Sequence, residues 1–370
     1  MNKKLLTIAI TAALVAPTAV LAEVIVYGQM GMSLDYVNSG VNVPAAGERK
    51  SNLNVSNNVS RLGFKGHEDL GGGLKGIWQV ESTVATDEPT GAGNGLGNRN
   101  TFLGLAGGFG TFLMGKHDTP FKMLGRSLDP FADTIADTRQ MLGGPLGFDL
   151  RTPNTVAYIT PNFSGFGAVL AYVSDATAAA TSLGADNNTL SAVSMNATYT
   201  NGPIYAGLAY ERQGVKELGG LATSKDPSAW RLGGSYAFGP AKIGAMYEAV
   251  KNIGTVDHSD RSGATLFGTY SFGMETVKLA YTMANKMKTV VGEVPDSSAS
   301  LLALGIDHSF SKRTTAYAQY TKLTNKNGTG VAKVGAAAYS LGSGGGYGDV
   351  VNPAAGDDPS AISFGMVHKF

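Results

Sequence analysis

The sequence predicts an all-β fold, a 16-stranded antiparallel transmembrane β-barrel with short turns at one end and long loops at the other. Three observations lead there. Apolar and polar residues alternate with a two-residue period in segment after segment. Short turns marked by Gly and Pro alternate with long polar connections. The composition combines 51 glycines in 370 residues with only 15% charge, about twice the usual glycine share and well under the usual quarter of charged residues.

The segments justify the first observation in order. Val24, Val26, Met30, Met32, Leu34 and Tyr36 share one face, against Gln29, Gly31, Ser33 and Asp35. Leu74, Trp78, Val80 and Val84 oppose Lys75, Gln79, Glu81 and Asp87. Trp230, Leu232, Tyr236 and Phe238 oppose Arg231, Gly233 and Ser235, and the last segment sets Ile362, Phe364, Met366 and Phe370 against Ser363, Gly365 and Lys369. Such alternation gives each strand one apolar and one polar face. A water-soluble sandwich buries the apolar face, whereas a membrane barrel turns it to lipid.

The connections decide between these. Short turns fall at Asp69–Gly73, Gly107–Gly110, Asn201–Pro203, Phe238–Pro240, Phe272–Met274 and Ser311–Arg313. Between them lie long connections near Asn38–Lys50, Glu88–Gly97, Thr119–Leu150, Ala176–Thr189, Val215–Asp226, Asn252–Asp260, Lys288–Ser298 and Asn325–Pro359. A membrane barrel with short periplasmic turns and long outer loops produces this pattern, and a sandwich has no reason to. Roughly sixteen strands fit between the connections, of about the ten residues a membrane strand needs. An even number places both termini at the periplasmic end. Trp78, Trp230, Tyr236, Tyr270, Tyr281 and Tyr320 read as interfacial aromatic girdles.

Composition excludes several classes. A formal charge of +1 is no footprint for nucleic acid. Without cysteine there is no disulfide or zinc-thiolate scaffold. Five scattered histidines show no metal-ligand spacing, so no metal and no cofactor is expected. Tyr and Phe, 15 of each, argue against disorder. At the N-terminus, Lys3 and Lys4 precede an apolar stretch from Leu5 to Val20 and a small-residue site at Val20-Leu21-Ala22. We read residues 1–22 as a signal peptide cleaved before Glu23. Residues 23–370 then form a single barrel domain with a formal charge of −1.

Longer motifs carry a resemblance. Ser60–Trp78 reads SRLGFKGHEDLGGGLKGIW, Arg99–Lys116 reads RNTFLGLAGGFGTFLMGK, and Arg151–Phe166 reads RTPNTVAYITPNFSGF. With the opening VIVYGQMGMSLDY and the ending GMVHKF, the mature chain resembles Gram-negative general-diffusion porins of the neisserial and β-proteobacterial type. The resemblance implies residence in the outer membrane, a homotrimer amid lipid and lipopolysaccharide, and passage of small hydrophilic solutes and ions. It also implies a third long loop folded into the lumen, and a role for the terminal Phe370 as the aromatic presented to the outer-membrane assembly machinery. Lys116 stands where the family often has Arg, and His67 where a small polar residue is common.

Thr119–Leu150 is too long for an ordinary connection. Phe121, Met123, Leu124, Leu128, Phe131 and Ile135 are suited to pin it against the wall. Asp129, Asp133 and Asp137 recur at four-residue spacing, which in a helix places them on one face. Lys122, Arg126 and Arg139 lie in the same segment and offer them local partners. Arg61, with Lys65 in phase, lies opposite Leu62 and Phe64, and Arg99 and Arg151 open strands. The family motifs match a basic cluster at the three arginines. The expected constriction therefore has a basic wall of Arg61, Lys65, Arg99, Lys116 and Arg151 facing acidic loop residues Asp129, Asp133 and Asp137. Facing charged rows tune which ions pass, and the arginines lean the expectation towards anions. Arg231 is a weaker candidate for the same wall.

A passive diffusion channel, not an enzyme, is the leading expectation. A barrel protease or phospholipase would need a Ser/His or Asp/His constellation, and no motif for one is present. A ligand-selective channel or surface adhesin stays open, because Asn325–Pro359 is long enough for surface contacts.

Overall fold

The computed structural model describes residues 23–40, 51–87, 95–174, 190–215, 225–326, 339–342 and 357–370. The predicted leader, residues 1–22, and most of the glycine-rich segment Gly342–Gly348 lie outside the described residues.

Strand β1 (Glu23–Asn38) shows how the wall is built. Val24, Val26, Met30, Leu34 and Tyr36 are exposed on the outer face, while Gln29, Ser33 and Asp35 are buried inside. The same alternation continues through β2 (Ser51–Asn57), β3 (Arg61–Gly71), β4 (Leu74–Thr83), β5 (Thr101–Gly107) and β6 (Gly110–Asp118). Helix α1 (Pro120–Ser127) follows, then β7 (Arg151–Ile159), β8 (Phe166–Val173), β9 (Leu190–Asn201) and β10 (Ile204–Val215). The wall continues with β11 (Ser228–Phe238), β12 (Ala241–Lys251), β13 (Arg261–Phe272) and β14 (Glu275–Ala284). A small hairpin, β15 (Lys288–Thr289) and β16 (Gly292–Glu293), lies within a predicted long loop. Then come β17 (Ala299–Ser309), β18 (Thr314–Asn325) and β19 (Ser360–Lys369).

Seventeen strands share the main sheet. Both β2 and β3 pair with β1, β2 along its second half and β3 along its first. They are one wall strand with a break, so the barrel has 16 staves. Every adjacent pair is antiparallel, and β1 closes on β19 from Gln29↔Lys369 to Asn38↔Ser360. Gly28 and Phe370 exchange backbone hydrogen bonds of 3.0 and 3.1 Å. The Phe370 ring lies over Gly28, where a Cβ would overlap it. Closure leaves no free edge in the main sheet among the described residues, the requirement for a sheet in lipid.

The predicted short turns all join neighbouring strands at one end, and Thr160–Gly165 is a further one between β7 and β8. On the outer face, the Trp230 ring lies tilted 5.2 Å from Tyr247, and at the other end of the wall Tyr236 lies 6.3 Å from Phe238 and Tyr270 6.2 Å from Phe272. Trp230 and Tyr236 are six residues apart on β11, or about 20 Å along a strand. That separation suits two aromatic bands flanking an apolar zone.

The apolar core lies inside the barrel and is supplied largely by the β6–β7 connection. Phe121, Leu124, Leu128, Phe131, Ile135, Met141, Leu142 and Phe148 are all at most 2% exposed. Each such side chain withdrawn from water contributes about 1.5–3 kcal/mol. Glycines on the wall receive them: a Cβ at Gly207 would collide with Leu124, at Gly233 with Leu128, at Gly263 with Leu142 and at Gly305 with Phe131. The third long loop is therefore packed into the lumen.

Candidate functional site

A bulge sets the first arginine. From Asn57 to Arg61 the chain takes four steps while its partner on β1 moves only three, from Met32 to Gln29. The extra residue switches the alternation. Leu53 and Val55 face outwards in β2, whereas Leu62 and Phe64 do so in β3, leaving Arg61 inside. Val59 takes φ +62° at the break, and its carbonyl accepts from Gln29 Nε2 at 3.1 Å. Bulges commonly re-aim a side chain in this way.

Arg61 and Arg99 share one carboxylate. Glu81 Oε1 lies 2.7 Å from Arg99 Nε, and Glu81 Oε2 lies 3.7 Å from Arg61 Nε. The Tyr27 hydroxyl donates to the same Oε2 at 3.0 Å. Arg151 stands next along the wall. Its Nε lies 3.0 Å from Asp118 Oδ1 and donates to Asn100 Oδ1 at 2.9 Å. Lys122 Nζ reaches the same Asp118 at 3.0 Å. Burial brings the Lys122 ammonium down to about 8 against the pull of Asp118. Lys65 also points inwards, its ammonium 5.1 Å from the centre of the Tyr27 ring.

Lys116 departs from the expectation. It pairs with Thr101, one alternation step beyond the outward pair Met114–Leu103. The following residue, His117, packs against the inward Phe102 at 5.7 Å. Lys116 is therefore in phase with the apolar outer face, the opposite phase to the inward Arg61.

The loop aspartates are not on a helix, which ends at Ser127, but in a run of turns. Asp129 is buried, with Oδ1 accepting from Phe131 N at 2.8 Å and Oδ2 from Thr138 N and Oγ1 at 2.9 Å. Burial, with the nearby Asp137 charge, pushes its carboxyl up to about 7. Asp137 is also buried and accepts from Arg139 Nε at 3.0 Å and Asp133 N at 2.9 Å. Asp133, at φ +65°, is more exposed; it pairs with Arg126 and lies 3.3 Å from Arg139. Asp133 also lines a lumen space with Gln29, Asn58, Lys278, Lys312 and Lys369. Arg61 feels the charges of Asp133 and Arg126.

Three residues that the sequence reading did not single out organise this region. Glu81 is the carboxylate between two arginines, and Asp118 joins Lys122 to Arg151. Asp149 joins Arg231 in fixing the loop. Arg231 is fully buried, donating from Nη1 to Asp149 at 2.8 Å and to the Phe121 carbonyl at 2.9 Å. Its Nε reaches Glu248 at 2.9 Å, and Glu248 accepts from Gly143 N at 2.8 Å. The guanidinium also lies 4.1 Å from the centre of the Phe121 ring. Arg231 is thus a clamp on the loop and has no exposure to a water path. Its signal in the sequence is a charged residue on a polar strand face, shared with many pore-lining residues.

Comparison with known proteins accords with this architecture. The model of the Gram-negative porin family matches residues 9–328. Outer membrane porin protein 32 of Delftia acidovorans is 30% identical over 379 residues, covering 100% of both chains. Major outer membrane protein P.IB of Neisseria sicca is 29% identical, covering 85% of this chain and 92% of its own. Among solved structures, the anion-selective porin from Comamonas acidovorans superposes with a TM-score of 0.73 at 28% identity, covering 94% of this chain and 100% of that one. With a matching family model across most of its length, a full-length relative and a closed 16-stranded barrel, this chain belongs to the Gram-negative porins of the outer membrane.

Proposed function

We propose that the protein is a homotrimeric channel for passive diffusion of small hydrophilic solutes and ions, with a constriction between the basic wall and the infolded loop and a preference for anions. The observation that carries this reading is the charge balance of the inner wall. Among the described residues, the wall arginines Arg61, Arg99 and Arg151, with Lys122 reaching in from α1, are paired with two carboxylates, Glu81 and Asp118. The loop charges largely cancel, since Asp133 and Asp137 pair with Arg126 and Arg139. An excess of fixed positive charge in a narrow aqueous path attracts anions. The anion-selective description of the Comamonas acidovorans relative supports the same direction.

In this reading Arg61, Arg99 and Arg151 form the cationic wall, with Lys65 below them near the short turns. Asp133 is the loop acid that faces the path, while Asp129 and Asp137 hold the loop in shape. The leader 1–22 is removed before Glu23, the short turns face the periplasm, and Phe370 serves recognition by the assembly machinery. Lipid and lipopolysaccharide surround the apolar outer face. The channel needs no cofactor and catalyses no reaction.

Planar-bilayer recording from purified mature protein tests the proposal. The expected result is ohmic conductance in steps grouped by three, with a zero-current potential favouring Cl⁻ under a KCl gradient. Saturation or block by one solute would instead favour a ligand-selective channel, and folded protein without steps would contradict the channel reading.

A further inference from the structure

The seam where the first and last strands meet carries an unusual group of polar side chains. Gln319 on β18, Ser363 on β19, Asp35 on β1 and Asn54 on β2 are successive register partners, so they form one row across four strands. The next inward row towards the short turns holds Tyr317, Gly365, Ser33 and Ser56. Neither row contains a basic residue.

Asp35 is fully buried, and neither carboxylate oxygen has a hydrogen-bond partner among the described residues. Both polar atoms of Gln319 and the hydroxyl of Ser56 are buried and unpartnered as well, and the buried Ser363 hydroxyl has the Tyr317 hydroxyl beside it. One such atom is commonplace, but an unpartnered carboxylate with two orphaned neighbours, Gln319 and Ser56, is not. A buried carboxylate is strongly disfavoured unless it is paired or coordinates a cation. The oxygens that these register partners bring to the seam are two from Asp35, the Gln319 carbonyl and the serine hydroxyls.

We propose that Asp35, Gln319, Ser363 and Ser56 form a binding site for a hard cation of the Ca²⁺ class, which clasps the barrel seam. Oxygen-only ligands and variable geometry are what Ca²⁺ accepts, whereas Mg²⁺ demands a rigid octahedron. With a single carboxylate the affinity falls in the weak range, on the order of 10⁻⁴–10⁻³ M. The cation joins β18, β19, β1 and β2 from inside. Above it, Val37 and Ala361 pack into the apolar cluster with Tyr339 and Leu341. Bound charge there also removes the negative field of Asp35 from the lumen.

The test uses the purified mature protein, stripped with chelator, and Ca²⁺ alone as the probe. The thermal midpoint of the wild type rises with the logarithm of Ca²⁺ concentration, as binding to the folded state requires. Asp35→Asn abolishes the rise, and Gln319→Met, which keeps the carboxylate, shifts it to higher Ca²⁺. If Asp35→Asn fails to fold, the Gln319→Met shift decides alone. A wild type indifferent to Ca²⁺ would overturn the proposal. So would an unchanged response in Gln319→Met, or in a folded Asp35→Asn protein, because the ion would then sit elsewhere.

Discussion

Glu81 accepts from Arg99 Nε at 2.7 Å while its other oxygen stays within 3.7 Å of Arg61. One carboxylate thus sets both the spacing and the net charge of two arginines on the inner wall. Glu81→Gln keeps the shape and removes the charge. The zero-current potential under a KCl gradient is expected to move further towards Cl⁻, with single-channel conductance changed by less than about twofold, since only one charge among several is altered. A move towards K⁺ would mean that Glu81 matters chiefly for holding the arginines in place.

Lys116 provides the matched control. Its phase on β6 is that of Met114, on the outer face. Lys116→Ala is expected to leave ion selectivity unchanged in the same recording. A cation shift as large as that of an arginine variant would place its ammonium in the path.

Arg231 binds Asp149, Glu248 and the Phe121 carbonyl in a site without exposure. Arg231→Met leaves two buried carboxylates without their cation, a loss of about 3–5 kcal/mol for a broken buried network. The expected signature is a lower thermal midpoint together with noisier open-channel current, because the loop loses its clamp. Quiet current at a lowered midpoint would show that the apolar contacts hold the loop unaided.

The contact between Gly207 and Leu124 tests those apolar contacts. A Cβ at Gly207 would overlap Leu124, so Gly207→Ala overpacks the loop against β10, at about 1–3 kcal/mol. Adding Leu124→Ala makes room and is expected to recover part of the midpoint lost by Gly207→Ala. Simple additivity of the two losses would show that they do not touch.

Asp129 gives a pH dependence. Its folded value of about 7 lies above the ordinary aspartate value near 4. The folded state then holds more protons than the unfolded state between those limits, so stability falls as pH rises through that window. The contribution is complete below about pH 4 and lost above about pH 7. Asp129→Asn is expected to flatten the decline in thermal midpoint over this range. An equally steep decline in the variant would assign it to another group.

The strand alternation and the turn spacing made the barrel legible, because lipid and lumen impose opposite chemistry on successive residues. Arg61 could be placed inside from Leu62 and Phe64 alone. The bulge at Asn58–Ser60 that puts it there was not legible, since one extra residue leaves no periodic trace. Lys116 was misplaced for a related reason: a motif match does not report strand phase, and Met114 beside it does. The aspartates at 129, 133 and 137 carried a helical spacing, but turn hydrogen bonds from Phe131 and Thr138 took them out of a helix. Pairing across distant strands, as between Arg231 and Asp149, needs the folded register and has no local signal.

In the proposed channel the wall arginines govern which ions pass. The deciding measurement is the zero-current potential of Arg61→Ala, Arg99→Ala and Arg151→Ala beside the wild type under a KCl gradient. The expected result is Cl⁻ preference in the wild type and a shift towards K⁺ in each variant. Potentials unchanged in all three variants would contradict it, leaving the barrel intact and its selectivity set elsewhere.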